Sequence, residues 1–184
     1  SGPALAVVDD AVTLDLSPMR GVRVDPVAKT AEVAGGSLLG DLDHAAHAFG
    51  LGIPAGIVST TGVGGLTLGG GHGHLTRKYG LTVDSLASAD VVLADGTFVT
   101  ANDKVHPDLF WALRGGGGNF GVVTSFTFRL HPVDTVALGI TLCALDHLPE
   151  VLRWYRGFLP QAPDDLNGFF AELVQFMTRS PVVL

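Results

Sequence analysis

The amino-acid sequence predicts an α+β protein, an antiparallel sheet with helices set among its hairpins rather than a strict βαβ alternation. Three patterns carry that expectation. Ala89 to Ala94 and Thr97 to Thr100 flank Asp95-Gly96, a dipeptide suited to a type I′ hairpin turn. Phe120 to Leu130 alternates, with Val122, Thr124, Phe126 and Phe128 on one face and Val123, Ser125, Thr127 and Arg129 on the other. Leu38, Leu42, Ala45, Ala46 and Phe49 recur at helical spacing between Ser37, a natural N-cap, and Gly50, a natural stop.

The remaining elements follow in chain order. Val12 to Leu16 and Gly21 to Asp25 read as strands around a turn at Ser17-Pro18-Met19-Arg20, and Thr30 to Val33 as a third. Asp25-Pro26 and Ala34-Gly35-Gly36 are breakers. Leu51 to Thr61 reads as a loop, and Asp84 and Ser85 as caps of a turn. Pro107 to Leu113 suits a short helix, since proline is tolerated in a first turn. After His131-Pro132, Val136 to Leu145 reads as a strand, the stripe from Leu148 to Leu159 as an amphipathic helix, and Phe169 to Phe176 as another strand. The pattern changes at Pro132, which divides the chain into residues 1–132 and 133–184.

Composition narrows the function. The 184 residues are 47% hydrophobic and 16% charged, enough for a sizeable core. A net charge of −7 disfavours nucleic acid and anionic lipid as partners. No apolar run reaches the ~18 residues of a membrane helix. The single cysteine, Cys143, allows no internal disulfide and sits in an apolar run, where burial is expected. No basic-then-apolar leader opens the chain, which favours the cytoplasm. The Ser-Gly-Pro start and abrupt Pro-Val-Val-Leu end lead us to expect a piece of a longer protein.

Glycine is the anomaly. Of 25, eleven fall between Gly50 and Gly80 and five between Gly115 and Gly121. Such clusters serve tight turns or close approach of backbone to a ligand. Gly116-Gly117-Gly118-Asn119-Phe120-Gly121 satisfies GxGxxG, but a predicted helix precedes it and a strand follows, the reverse of a nicotinamide-dinucleotide site. GxxxxGK[ST] is absent from the sequence. The first cluster is the stronger candidate, because small residues let successive N–H groups converge on pyrophosphate while Ser59, Thr60 and Thr61 add hydroxyls. His72 and His74, and His44 and His47, are paired without the third and fourth ligands a metal needs.

Gly69-Gly70-Gly71-His72-Gly73 through Arg77-Lys78-Tyr79-Gly80-Leu81 to Asp84, followed by Asp108-Leu109-Phe110-Trp111-Ala112-Leu113-Arg114-Gly115-Gly116-Gly117-Gly118-Asn119-Phe120-Gly121-Val122-Val123-Thr124, resembles the two signatures of the berberine-bridge-enzyme-like FAD-linked oxidases. These belong to the vanillyl-alcohol-oxidase, or PCMH-type, superfamily. The resemblance spans residues 12 to 133 in order. It implies the second subdomain of a PCMH-type FAD-binding domain, an antiparallel sheet with surrounding helices, followed by the beginning of an α+β substrate domain. It implies a small-molecule substrate oxidised at a C–H next to O or N, with O2 as acceptor.

By that resemblance Val58, Ser59, Thr60, Thr61, Gly62, Val63, Gly64 and Gly65 line the FAD pyrophosphate and ribityl chain. Gly70, Gly71 and His72 pass near the isoalloxazine, and Gly121, Val122 and Val123 offer backbone groups to the adenine side. Many members tether FAD through a cysteine and a histidine. The cysteine position aligns with Val58, which has no nucleophile, and the histidine-bearing loop belongs upstream of residue 1. The catalytic base belongs beyond residue 184, so no catalytic residue is assigned. The alternative is a truncated fragment that holds no cofactor and performs no catalysis alone.

Overall fold

The computed structural model describes residues 9–133, 135–141 and 143–168. A five-stranded antiparallel sheet is built from β1 (Val22–Asp25), β2 (Thr30–Ala34), β4 (Leu86–Val92), β5 (Phe98–Asn102) and β6 (Val122–Arg129), in the order β1-β2-β6-β4-β5. The two-residue strands β3 (Leu51–Gly52) and β7 (His131–Pro132) form a separate ribbon. Helices α1 (Leu39–His47), α2 (Val63–Leu68), α3 (Thr76–Tyr79) and α4 (Pro107–Leu113) are set between strands, and α5 (Leu148–Phe158) follows the sheet. The α+β class is the one the sequence predicts.

The core grows from the pleat of β6. Phe126 lies opposite Val33 and Ala89, and Phe128 opposite Ala31 and Leu86, all buried. Alanine beside each ring leaves room for it, and the two rings stack with centroids 5.9 Å apart. Burying each ring contributes about 1.5–3 kcal/mol. Leu39, Leu42 and Ala46 of α1 join the same core.

The alternation read along 120–130 breaks once, for a physical reason. Asp90 pairs with Ser125 but Val91 with Val123, so Thr124 is an extra, bulged residue. One inserted residue exchanges the faces of everything before it. Val123 is therefore buried on the same side as Phe126 and Phe128, not opposite them. The bulge is held in place by Gly35, whose N–H donates to the Thr124 carbonyl at 2.8 Å.

Other expectations are corrected. Residues 12–16 pair with no strand, and Val12 is fully exposed. Leu38, not Ser37, is the N-cap of α1; the Asp41 carboxylate accepts its N–H at 2.8 Å and also takes the Arg20 guanidinium. The Ser37 hydroxyl instead exchanges hydrogen bonds with the Gly21 backbone. Asp95-Gly96 does not form a type I′ turn, because Asp95 has no positive φ. Gly96 (φ 84°) donates its N–H to Leu93 O, which makes it the left-handed fourth residue of a wider turn.

Residues 135–141 form no strand, and Val136, Leu138 and Ile140 are exposed. Cys143 is exposed rather than buried. The strand expected at 169–176 lies outside the described residues. Helix α4 precedes the second glycine cluster and β6 follows it, the order that argues against a nicotinamide site.

Candidate cofactor groove

The first glycine cluster is not all loop, since α2 lies within it. Glycine costs about 1 kcal/mol relative to alanine in a helix interior, so packing must override propensity there. Val63 and Leu68 are buried, and Gly64 sits where a β-carbon would come within 3.2 Å of Gly35 O and 3.6 Å of the Phe126 ring. The approach to α2 is stitched to the start of α1. Leu39 donates to Thr61 O, Gly40 to Ser59 O, and Val63 to Ser37 O, each at 2.9 Å.

That stitching uses carbonyls and leaves donors over. The N–H groups of Ser59, Thr60, Gly62, Gly64 and Gly65 meet no acceptor among the described residues, nor do the hydroxyls of Ser59, Thr60 and Thr61. The buried Thr67 hydroxyl also lacks a partner there. Gly62, at φ −69°, has nothing within 4 Å of its missing β-carbon.

The two glycine clusters meet in one groove of about 240 Å³. Gly64, Gly65 and Leu68 form one wall, while Gly118, Gly121, Val122 and Val123 form another. Leu14, Leu16 and Gly35 complete it, with Phe126 beneath. Gly117 N–H donates to Leu68 O at 2.9 Å, joining the second cluster to the end of α2. Gly121 (φ 138°) turns the chain into β6, where a β-carbon would strike Val92 O at 2.7 Å. Among the described residues, no titratable side chain lines the groove. Its chemistry is that of backbone amides beside an apolar floor.

Gly70, Gly71 and His72 do not line this groove. Gly70 and Gly71 adopt φ of 106° and 78°, and their carbonyls accept the N–H groups of Val83 and Thr82 at 3.0 Å each. A β-carbon on Gly71 would run into the Thr82 side chain. His72 is exposed. Asp84 caps its turn as expected, accepting the Leu81 N–H at 2.8 Å. Arg114 ties the second cluster to the same turn, donating to Val83 O at 3.1 Å and Asp84 Oδ1 at 3.2 Å.

The structure thus brings together Gly64, Gly65, Gly121, Val122 and Val123. It sets Val58 to Gly62 on the exposed approach to α2, with Val63 buried, and Gly70 to His72 against the turn at 82–84. Leu14, Leu16, Gly35, Leu68, Gly118 and Phe126 are the groove residues that sequence reasoning missed. Gly35-Gly36 stands out in the sequence as a breaker, and in the structure Gly35 also walls the groove. Among the described residues no group of three or more His, Cys, Asp or Glu side chains comes together, and no helix is long and apolar enough to cross a membrane.

One neighbouring histidine is electrostatically set. His131 stacks on Tyr79 with centroids 4.1 Å apart and shares a hydrogen bond with Ser85 Oγ at 3.1 Å. Burial, helped by the Arg129 charge, holds its imidazole below the ordinary value and so favours the neutral ring.

The groove offers backbone N–H groups of Gly64 and Gly65 that meet no acceptor among the described residues, beside the aliphatic side chains of Leu14, Leu16 and Leu68. Comparison with known proteins shows the family. Residues 1–102 match the FAD binding domain family. An FAD-linked oxidoreductase of Dictyostelium discoideum is 50% identical over 131 residues, covering 71% of this chain and 29% of that protein.

Among solved structures, 6-hydroxy-D-nicotine oxidase from Arthrobacter nicotinovorans superposes with a TM-score of 0.67 at 41% identity, covering 69% of this chain and 28% of its own. A glucooligosaccharide oxidase from Acremonium strictum, described with a 6-S-cysteinyl, 8α-N1-histidyl FAD, gives 0.62 at 40% identity over 66% of this chain and 25% of its own. The chain belongs to the berberine-bridge-enzyme-like, PCMH-type family of FAD-linked oxidoreductases. It spans about a third of the length of the curated relatives it matches.

Proposed function

We propose that this chain supplies one wall of the FAD site in an oxidase that removes hydride from a C–H next to O or N of a small organic substrate. The observation that carries the reading is the meeting of the Gly64 and Gly65 N–H groups, which find no acceptor among the described residues, with the Gly121–Val123 wall on one groove, the Gly62 N–H standing on the approach beside it. Unpaired backbone donors suit pyrophosphate oxygens without any Lys or Arg, in keeping with the net charge of −7. Gly62 has neither a backbone nor a packing reason to be glycine, which leaves approach of a ligand as the reason.

In this reading Val58 to Gly65 hold the pyrophosphate and ribityl chain. Gly121, Val122 and Val123 contact the adenine side, and Gly70 to His72 border the isoalloxazine. The FAD, when bound, supplies the hydride acceptor, and O2 takes the electrons onward. The chain's own residues bind, orient and exclude water. Val58 has no nucleophile, so the cysteinyl tether named for the glucooligosaccharide oxidase has no counterpart at that position; a histidyl tether would come from upstream sequence. Residues 1–132 make up the cofactor-binding part, and 133–184 begin the substrate-binding part.

A second reading is that these 184 residues alone hold no cofactor. The open groove of about 240 Å³ accommodates only part of a dinucleotide, which favours it. Titration of the chain with FAD, followed by flavin fluorescence, separates the two. Saturable quenching is expected from a working wall; unaltered fluorescence at all concentrations supports the fragment reading.

A further inference from the structure

Outside the groove, the most constrained contact joins two segments far apart in sequence. The Arg77 guanidinium donates to three carbonyls, Ala162 O at 3.0 Å, Pro163 O at 3.2 Å and Leu166 O at 2.6 Å, and lies 3.5 Å from the Asp164 carboxylate. Asn167 Nδ2 returns the contact, donating to Gly73 O and His74 O at 3.0 Å each. Its own Oδ1 accepts the Gly168 N–H at 2.9 Å, and the Tyr155 hydroxyl of α5 donates to Gly168 O at 2.7 Å. The planar fork of arginine suits several carbonyls at once in a way lysine cannot match.

His72 directly precedes the two carbonyls that Asn167 holds, Gly73 O and His74 O. On its N-terminal side, Gly71 O is fixed by Thr82. On its C-terminal side, Gly73 N–H donates to Thr76 Oγ1 at 2.9 Å. Gly73 lies so close to the Ala55 carbonyl that a β-carbon would collide with it. Asn167, supported by Arg77, holds the turn from the later part of the chain.

We infer that Asn167 and Arg77 are positioning residues that lock the His72 turn at the cofactor site to the segment 162–168 that follows α5. This rests on the FAD reading above. Because coupling between two sites is reciprocal, a cofactor that needs the turn in place also steadies that segment, and the segment steadies the cofactor. The later region thereby takes part in holding a cofactor whose groove it does not line.

The test uses the full chain with FAD and follows three signals: the FAD dissociation constant, the visible flavin spectrum, and amide hydrogen exchange of residues 159–168. In the wild type, FAD should slow exchange at Leu166 and Gly168, whose N–H groups are bonded within the clamp. Asn167→Asp is nearly isosteric but sets a carboxylate against two carbonyls. It should weaken FAD about tenfold, shift the flavin spectrum and abolish the FAD-dependent slowing, with the thermal melt of the sheet unchanged. Arg77→Lys keeps the charge near Asp164 and should fall between. An Asn167→Asp chain that matches wild type in affinity, spectrum and protection overturns the inference alone. A wild-type chain that takes up no FAD overturns the reading of the site, and the inference with it.

Discussion

The two glycine clusters are alike in composition and differ in what presses on them. In the first, Gly71 and Gly73 face the Thr82 side chain and the Ala55 carbonyl, with no room for a β-carbon. In the second, Gly115 and Gly118 have nothing within 4 Å, and only Gly116 and Gly121 are crowded by protein, Gly121 at Val92 O. A glycine hemmed in by its own chain is explained by the fold. A glycine facing open space is explained by conformation or by something not made of protein. Gly62, in the first cluster, belongs to the open kind.

The sharpest break of that comparison is Gly73→Ala. The added methyl has no flexible side chain to displace, only the Ala55 backbone, so the cost is expected at about 3 kcal/mol or more. Chemical denaturation should show it as a lower midpoint with unchanged slope. A stability equal to wild type would mean that the Gly73–Ala55 contact is not tight. Gly121→Ala comes next, at about 2 kcal/mol, combining a left-handed φ of 138° with the approach to Val92 O. It should lower FAD affinity as well, because Gly121 lines the groove.

How much of this was legible in the sequence depends on whether the cause was local. The hairpin partners of β4 and β5, the short helix α4 and the buried Leu42 and Ala46 of α1 follow from periodicity and punctuation, which are local; Phe49, expected in the same stripe, is exposed, and Leu39 is buried in its place. The bulge at Thr124 does not, because a bulge is a mismatch between two strands and each alone reads as regular. Helix α2 was hidden by its glycines, whose low propensity is outweighed by packing of Gly64 on Gly35 and Phe126. Residues 135–141 look like a strand because apolar side chains recur, yet a strand also needs a partner ladder, and none lies beside them among the described residues.

The same limit applies to the groove. Its glycines are visible as clusters, and the family resemblance supplies the expectation that they face FAD. That Leu14, Leu16 and Gly35 close the third side depends on long-range contacts that no local pattern announces. Gly115→Ala separates the two kinds of constraint. Its φ of 120° is unfavourable for alanine but its surroundings are empty, so the cost is that of backbone strain, about 1–2 kcal/mol. A thermal melt that moves as far as that of Gly73→Ala would show that left-handed geometry, not crowding, dominates these loops.

The smallest effect on folding should come from Gly62→Ala, and it is the most informative about function. Gly62 is exposed, has φ −69° and meets nothing within 4 Å, so alanine should change stability by no more than about 0.5 kcal/mol. Its N–H nevertheless stands with those of Gly64 and Gly65 at the start of α2, beside the groove. If a ligand backs onto that open space, the methyl group obstructs it while the fold is untouched. Fluorescence titration with FAD should then show affinity reduced about tenfold at constant melting temperature. Equal affinity in the two chains would mean that FAD keeps clear of Gly62, and that the pyrophosphate is held further along the approach, by the free donors of Ser59 and Thr60.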